Sequence, residues 1–71
     1  MTDRKTRLAR LKREYDELVK DKYIYEGNRE FHYLNGNYKV SQEYDLKVAE
    51  TEVKIKEIKR VIDILERGGS V

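Results

Sequence analysis

The sequence of 71 residues contains no cysteine, no proline and no tryptophan, and it has a single histidine, His32. Without cysteine the chain can form neither disulfides nor thiolate metal sites, and one imidazole is too few for a histidine-based catalytic set or a multi-histidine metal site. The four glycines form no nucleotide-binding loop motif. We therefore predict that the protein is not an enzyme, holds no metal or cofactor, and has no small-molecule substrate.

Long hydrophobic runs are also missing. No apolar run approaches the roughly 18 residues that span a membrane, and the N-terminus lacks the apolar core of a signal peptide. Charged residues make up 42% of the chain and hydrophobic residues 38%, a balance typical of long solvated helices. These features predict a cytoplasmic protein that does not bind membranes.

The length is that of a single small domain, residues 1–71. A core of this size rarely contributes more than about 3–5 kcal/mol of stability unless a disulfide, a metal or a second subunit adds to it. Because the residues for disulfides and metal sites are missing, the composition favours oligomerisation.

The longest regular pattern lies in residues 41–67. Mostly apolar residues recur at heptad spacing, on positions 41, 48, 55 and 62 and on positions 44, 51, 58 and 65. This pattern predicts a helix from about 41 to 67, with Ser41 as its N-cap and a disordered tail at 68–71.

A second apolar stripe of Leu46, Ala49 and Val53 lies off the heptad line of this helix. One neighbouring helix cannot cover both stripes, so we predict a homodimer formed through the long C-terminal helix. The residues assigned to the dimer interface or core are Tyr44, Val48, Ile55, Ile58, Ile62 and Leu65.

A first helix is predicted from about 3 to 21, where apolar residues recur at spacings of three and four and Thr2 can cap the start. Residues 1–13 carry a net charge of +5, whereas residues 14–37 carry −3 and the rest of the chain is neutral. Such a basic end can attract nucleic acid. The candidate nucleic-acid-binding residues are Arg4, Lys5, Arg7, Arg10, Lys12 and Arg13.

Residues 23–40 change pattern, because aromatic and β-branched runs are separated by Gly27-Asn28 and by Asn35-Gly36. Both dipeptides are signals for tight turns. The alternation around them places one set of residues on the apolar face of the predicted sheet, towards the core: Ile24, Phe31, Tyr33, Tyr38 and Val40. The pattern favours an α+β, mostly helical fold, in which two antiparallel helices are joined by a small β meander of two or three strands (α-β-β-β-α). In the alternative, the first helix continues to about residue 34 and turns once at residues 35–37, giving an all-α helical hairpin.

The predicted function is that of a small protein-interaction module that acts as an inhibitor or adaptor of another protein. Its tyrosine-rich tip would carry the contact, because aromatic patches are enriched in protein interfaces. The alternative is a nucleic-acid-binding regulator that uses the basic N-terminal helix. The candidate protein-binding residues are Tyr23, Tyr25, His32 and Leu34.

Overall fold

A computed structural model describes residues 3–68, which form two long helices joined by a short loop. Helix α1 comprises Arg4–Leu34 and helix α2 comprises Tyr38–Glu66. The helices are antiparallel, so that Arg4 lies beside Gly68 and Arg29 beside Asp45. The molecule measures 50 × 17 × 15 Å and has an open end, where the two termini meet, and a tip, where the loop lies.

The β meander predicted for residues 23–40 is wrong, because residues 3–68 contain no strand. The alternative, an all-α helical hairpin, is confirmed. Gly27 and Asn28 lie inside α1, where the Asn28 side chain donates to the carbonyl oxygen of Ile24 at 3.0 Å. A glycine inside a helix costs about 1 kcal/mol relative to alanine. The packing of α1 on α2 outweighs this cost.

Helix α1 runs thirteen residues beyond its predicted end, because its positions facing α2 continue past Leu18. Beyond Leu18, half-buried residues still recur at spacings of four and three, but their side chains are polar or aromatic. These positions are Lys22, Tyr25, Arg29 and His32. A helix contact therefore continues where the apolar stripe stops.

The Asn35-Gly36 dipeptide ends α1 as a helix cap and does not form a strand-to-strand turn. Gly36 has a φ of +78°, a left-handed conformation that glycine adopts without strain. The N–H of Gly36 donates to the carbonyl oxygen of Tyr33 at 3.1 Å. The N–H of Asn37 donates to the carbonyl oxygen of His32 at 2.8 Å. These two bonds form a Schellman motif, which satisfies the last carbonyls of the helix and reverses the chain.

Helix α2 begins one turn earlier than predicted, and Ser41 is not its N-cap. Ser41 is buried in the second turn, and its hydroxyl donates to the backbone carbonyl of Arg29 at 2.9 Å. Asn37 precedes the helix and makes no side-chain capping bond. The small, polar Ser41 side chain is thus a contact between the helices near the tip.

The core is a single seam between the two helices, which follows the heptad positions of α2. Five α2 residues are buried there, whereas within the described residues α1 has none. The buried residues are Ser41, Val48, Thr51, Ile62 and Leu65. The seam residues of α1, such as Leu8 and Leu18, are only half-buried. A hairpin of two helices encloses little, because each helix has a partner on one side only.

The two helix ends at the open end of the hairpin are both capped. The Asp3 carboxylate accepts a hydrogen bond from the backbone N–H of Thr6 at 2.8 Å, as an N-cap does. Helix α2 ends at Glu66, and Gly68 follows with a φ of +84°. Thr2, the predicted cap, and residues 69–71 of the predicted tail lie outside the described residues. Among the described residues, no helix is long and apolar enough to cross a lipid bilayer.

Candidate functional site

Most of the exposed large hydrophobic side chains lie near the tip. Six of the eight such side chains within residues 3–68 belong to residues 23–38 and are 59–74% exposed. We call these six residues the tip surface: Tyr23, Ile24, Phe31, Tyr33, Leu34 and Tyr38. The other two, Leu46 and Val53, lie on α2, on its side that faces away from α1.

The tip surface is carried mainly by the outer side of α1. Ile24 and Phe31 are seven residues apart and therefore share one side of the helix, away from the seam positions Tyr25 and His32. Gly27 lies between them, and a Cβ at this position would meet no atom within 4 Å. The side chains of Ile24 and Phe31 thus flank a stretch of bare helix backbone that another molecule can approach closely.

Across the loop, Tyr33 at the end of α1 meets Tyr38 at the start of α2. Their rings are 5.3 Å apart and inclined at 66°, in an edge-to-face arrangement. Both rings are about 60% exposed. The Schellman motif orders the loop backbone that joins these two residues.

The four predicted protein-binding residues separate into two groups. Tyr23 and Leu34 lie on the tip surface and are 70% and 74% exposed. Tyr25 and His32 are half-buried in the seam, on either side of Tyr44. The His32 ring stacks on the Tyr44 ring at 5.6 Å, and the Tyr25 ring lies 6.2 Å from it. Tyr25 and His32 therefore hold the two helices together near the tip.

Four tip-surface residues were missed as site candidates: Ile24, Phe31, Tyr33 and Tyr38. The strand interpretation placed them on the buried face of a sheet, whereas all four are exposed on the helices. The seven-residue spacing of Ile24 and Phe31 is the sequence signal for a shared helix side, and it becomes visible once residues 23–34 are considered as helix.

The predicted nucleic-acid-binding residues lie at the open end, where all six are exposed. Two of them also contact α2. The Arg4 guanidinium donates to the carbonyl oxygen of Gly68 at 3.2 Å, and the Lys12 ammonium lies 3.5 Å from the Glu66 carboxylate. Arg7, Arg10 and Arg13 extend the basic surface along the outer part of α1.

Folding brings a second group of cations to the same end. Residues 54–67, at the end of α2 and in its cap, hold five cations and three anions. They lie beside residues 3–13, which hold six cations and one anion. The open end therefore carries a net charge of +7, whereas residues 14–53 hold five cations and ten anions and carry −5. A shallow depression at this end is lined by Lys56, Lys59, Arg60, Asp63, Ile64 and Arg67. The hairpin is thus basic at the open end and acidic towards the tip.

The residues assigned to the dimer interface or core all lie on the seam between α1 and α2. Val48, Ile62 and Leu65 are buried there, and Tyr44, Ile55 and Ile58 are half-buried. This side of α2 packs within one chain. A contact of α2 with a second copy must therefore use its other side, where Leu46 and Val53 are exposed.

Between residues 3 and 68, no three histidine, cysteine, aspartate or glutamate side chains are grouped so that they could hold a metal ion. Comparison with known proteins gives no match to a family model, a curated protein or a solved structure. The candidate sites are therefore the two surfaces at the ends of the hairpin.

Proposed function

We propose that this chain is a non-enzymatic protein-interaction module of the cytoplasm, which binds another protein through its tip surface as an adaptor or inhibitor. The supporting observation is the exposure of six large hydrophobic side chains in one region. At about 200 Å² for each large side chain and the exposures given above, they present on the order of 700 Å². Monomeric proteins rarely expose apolar patches larger than a few hundred Å². This surface approaches the ~800 Å² that one partner contributes to a typical protein interface.

The composition of the tip surface supports the same proposal. Four of its six residues are tyrosine or phenylalanine, which are enriched in interface centres because they bury much area at a small cost in side-chain entropy. The gap at Gly27 gives the surface relief, with Ile24 and Phe31 as its walls. A partner helix or loop with a protruding apolar side chain fits such a surface.

The proposal includes homodimerisation. The chain exposes 5853 Å² of surface. A compact monomer of its mass, 8.6 kDa, is expected to expose about 4,700 Å². The difference between the observed and the expected exposed area is comparable with the area that one subunit buries in a dimer. The exposed side of α2 that carries Leu46 and Val53 contributes to this exposed area and lies outside the tip surface.

Capture of binding partners by the tagged full chain tests the function. The tip variant carries Phe31→Gln and Leu34→Gln, and a matched control at the open end carries Arg10→Ala and Arg13→Ala. We expect proteins captured by the wild type and by the open-end control to be lost by the tip variant. Circular dichroism must show that both variants keep their helical content. A partner set that is unchanged by the tip variant would contradict the proposal.

The open end supports a second candidate function, the binding of nucleic acid. Its net charge of +7 comes from both helices, and the exposed cations of α1 and α2 lie on one end of the molecule. Binding that depends on phosphate contacts weakens steeply with salt. We expect Arg10→Ala with Arg13→Ala to reduce the slope of log affinity against log salt by about 2, or about 1 for each phosphate contact. An unchanged slope, or no binding by the wild type at low salt, would exclude this function.

A further inference from the structure

The side of α2 that faces away from α1 carries three apolar residues in a line, two of which are exposed. Leu46, Val53 and Ile64 are 7 and 11 residues apart and so return to the same side of the helix to within about 20°. Leu46 is 66% exposed and Val53 is 56% exposed, whereas Ile64 is half-buried. Three charged residues lie along the same line: Glu50, Glu57 and Arg60. We call these six residues the outer stripe.

We propose that the outer stripe binds the outer stripe of a second copy, with the two α2 helices antiparallel and a two-fold axis beside residue 55. This inference rests on the proposed homodimer and specifies its geometry. In this register, residues whose numbers add up to 110 lie at the same height. Leu46 then faces Ile64 of the second copy, Glu50 faces Arg60, and Val53 faces Glu57.

The charges of the outer stripe select this arrangement. Glu50 and Arg60 are exposed, and neither forms an ion pair within the part of the chain that the structure describes. In the antiparallel register each Glu50 meets an Arg60, twice by symmetry. A parallel pairing would instead place Glu50 on Glu50 and Arg60 on Arg60. Like charges in contact disfavour the parallel pairing.

The charge distribution of the whole hairpin favours the same orientation. One end carries +7 and the remainder −5. Antiparallel copies overlap so that the basic open end of each lies beside acidic helix segments of the other, whereas parallel copies would place the two basic ends side by side. Complementary fields of this kind steer association and fix its direction.

The geometry has a consequence for the tip surfaces. At a rise of 1.5 Å per residue, the loop at residue 36 lies about 28 Å from the two-fold axis, so the two tips point in opposite directions roughly 57 Å apart. The dimer is therefore bivalent, because each end presents one tip surface. A partner with repeated binding sites can be bound by both tip surfaces at once. The overall affinity then rises although each tip surface makes the same contacts as before.

Charge exchange tests the orientation. Glu50→Arg alone and Arg60→Glu alone each place like charges opposite each other, and we expect each to weaken dimerisation about tenfold in sedimentation equilibrium. The double variant Glu50→Arg with Arg60→Glu restores the pairs and should dimerise as the wild type does. Circular dichroism of each variant separates loss of the dimer from loss of the fold.

Cysteine cross-linking tests the register, because the chain has no cysteine of its own. Leu46→Cys and Ile64→Cys, oxidised separately, should remain uncross-linked, since each position lies about 27 Å from its own copy along the axis. A mixture of the two variants should form the mixed disulfide. Self-cross-linking of Leu46→Cys, no rescue by the double charge variant, or an 8.6 kDa wild-type species at tens of micromolar would overturn the inference. Partner capture by the tip surface, measured on Glu50→Arg, shows separately whether the proposed function holds.

Discussion

The Ser41 hydroxyl donates a hydrogen bond to the backbone carbonyl of Arg29 at 2.9 Å and so joins α2 to α1 close to the loop. Ser41 is 7% exposed and occupies the first buried position of α2 in the seam. A larger side chain here would have to push the helices apart. The first buried position of α2 therefore requires a residue that is both small and polar.

Replacement of Ser41 should reveal both requirements. Ser41→Ala removes one hydrogen bond from a buried site, and we expect a loss of about 1 kcal/mol in the free energy of unfolding. Ser41→Leu overfills the site and should cost about 1–3 kcal/mol. Urea unfolding followed by circular dichroism measures both. A gain in stability for Ser41→Leu would show that the helices lie farther apart at this point.

The two glycines of the hairpin on either side of Phe31 should respond to alanine in opposite ways. Gly27 lies inside α1, and an added Cβ meets nothing within 4 Å, so Gly27→Ala should raise the free energy of unfolding by about 0.5–1 kcal/mol. Gly36 has a φ of +78°. Gly36→Ala should therefore destabilise by about 1 kcal/mol, because alanine is strained in that conformation.

Thermal unfolding of the two variants in parallel measures this difference, and each serves as the control for the other. The result also bears on the fold, because a turn at Gly27-Asn28 would make Gly27→Ala destabilising. A drop in melting temperature for Gly27→Ala would therefore contradict the continuous helix α1.

The sequence was sufficient to predict α2, because its seam positions are mostly apolar for four heptads. It was insufficient for the second half of α1. There the seam positions become Lys22, Tyr25, Arg29 and His32, which contact α2 through long or aromatic side chains and leave no apolar stripe. Polar seam residues are recognised only after the partner helix is placed beside them.

The dipeptide Asn35-Gly36 shows why the loop was assigned wrongly. Glycine with a positive φ is required in a type I′ strand turn and also in a Schellman cap at a helix end. The dipeptide therefore predicts a chain reversal correctly but does not say what it joins. The same error explains why part of the tip surface was not predicted. Ile24 and Phe31 are expected to be buried in a strand but are exposed in the helix.

The net charge of the open end depends on the fold in another way. The basic residues of α1 are visible in the sequence, but residues 38–71 are neutral as a whole. Only the antiparallel arrangement shows that the cations of α2 gather at residues 54–67, beside those of α1. The net charge of residues 38–71 as a whole is zero, because the cations at one end of α2 cancel the anions at the other. This sum concealed the separation of charge along the helix.

Asp3 should make the start of α1 sensitive to pH. The backbone N–H of Thr6 donates to its carboxylate, and this bond holds the pKa of Asp3 below its ordinary value. A lowered folded-state pKa means that the stabilisation is present above the unfolded value of about 3.9 and is lost as the pH falls through the folded value. Asp3→Asn keeps a capping side chain that does not titrate.

We therefore expect the protection of the Thr6 amide against exchange, relative to its intrinsic rate, to fall as the pH drops below about 4 in the wild type but not in Asp3→Asn. Two-dimensional NMR of the amide signals measures this, and the difference between the two proteins removes the effect of the other carboxylates. An identical pH response in both proteins would show that Asp3 does not cap the helix in solution.

The two sides of α2 should differ in what they stabilise, and two leucines on this helix test the difference. Leu65 is 5% exposed in the seam, whereas Leu46 is 66% exposed on the outer stripe. Leu65→Ala should cost about 2–5 kcal/mol, as truncations in a core do, which is enough to unfold a hairpin of this size. Leu46→Ala leaves the seam intact and should hardly alter unfolding of the isolated hairpin at low protein concentration.

Concentration separates the two effects further. If α2 pairs with a second copy through the outer stripe, the melting temperature of the wild type rises with protein concentration, because association stabilises the folded chain by mass action. Leu46→Ala should flatten this dependence, whereas Leu65→Ala should lower the melting temperature at every concentration. Thermal scans from about 1 to 300 µM cover the range in which a micromolar dimer forms. A concentration dependence that is equally steep in the wild type and in Leu46→Ala would mean that the copies meet through some other surface, and the exposed tip would then be the next side of the hairpin to test.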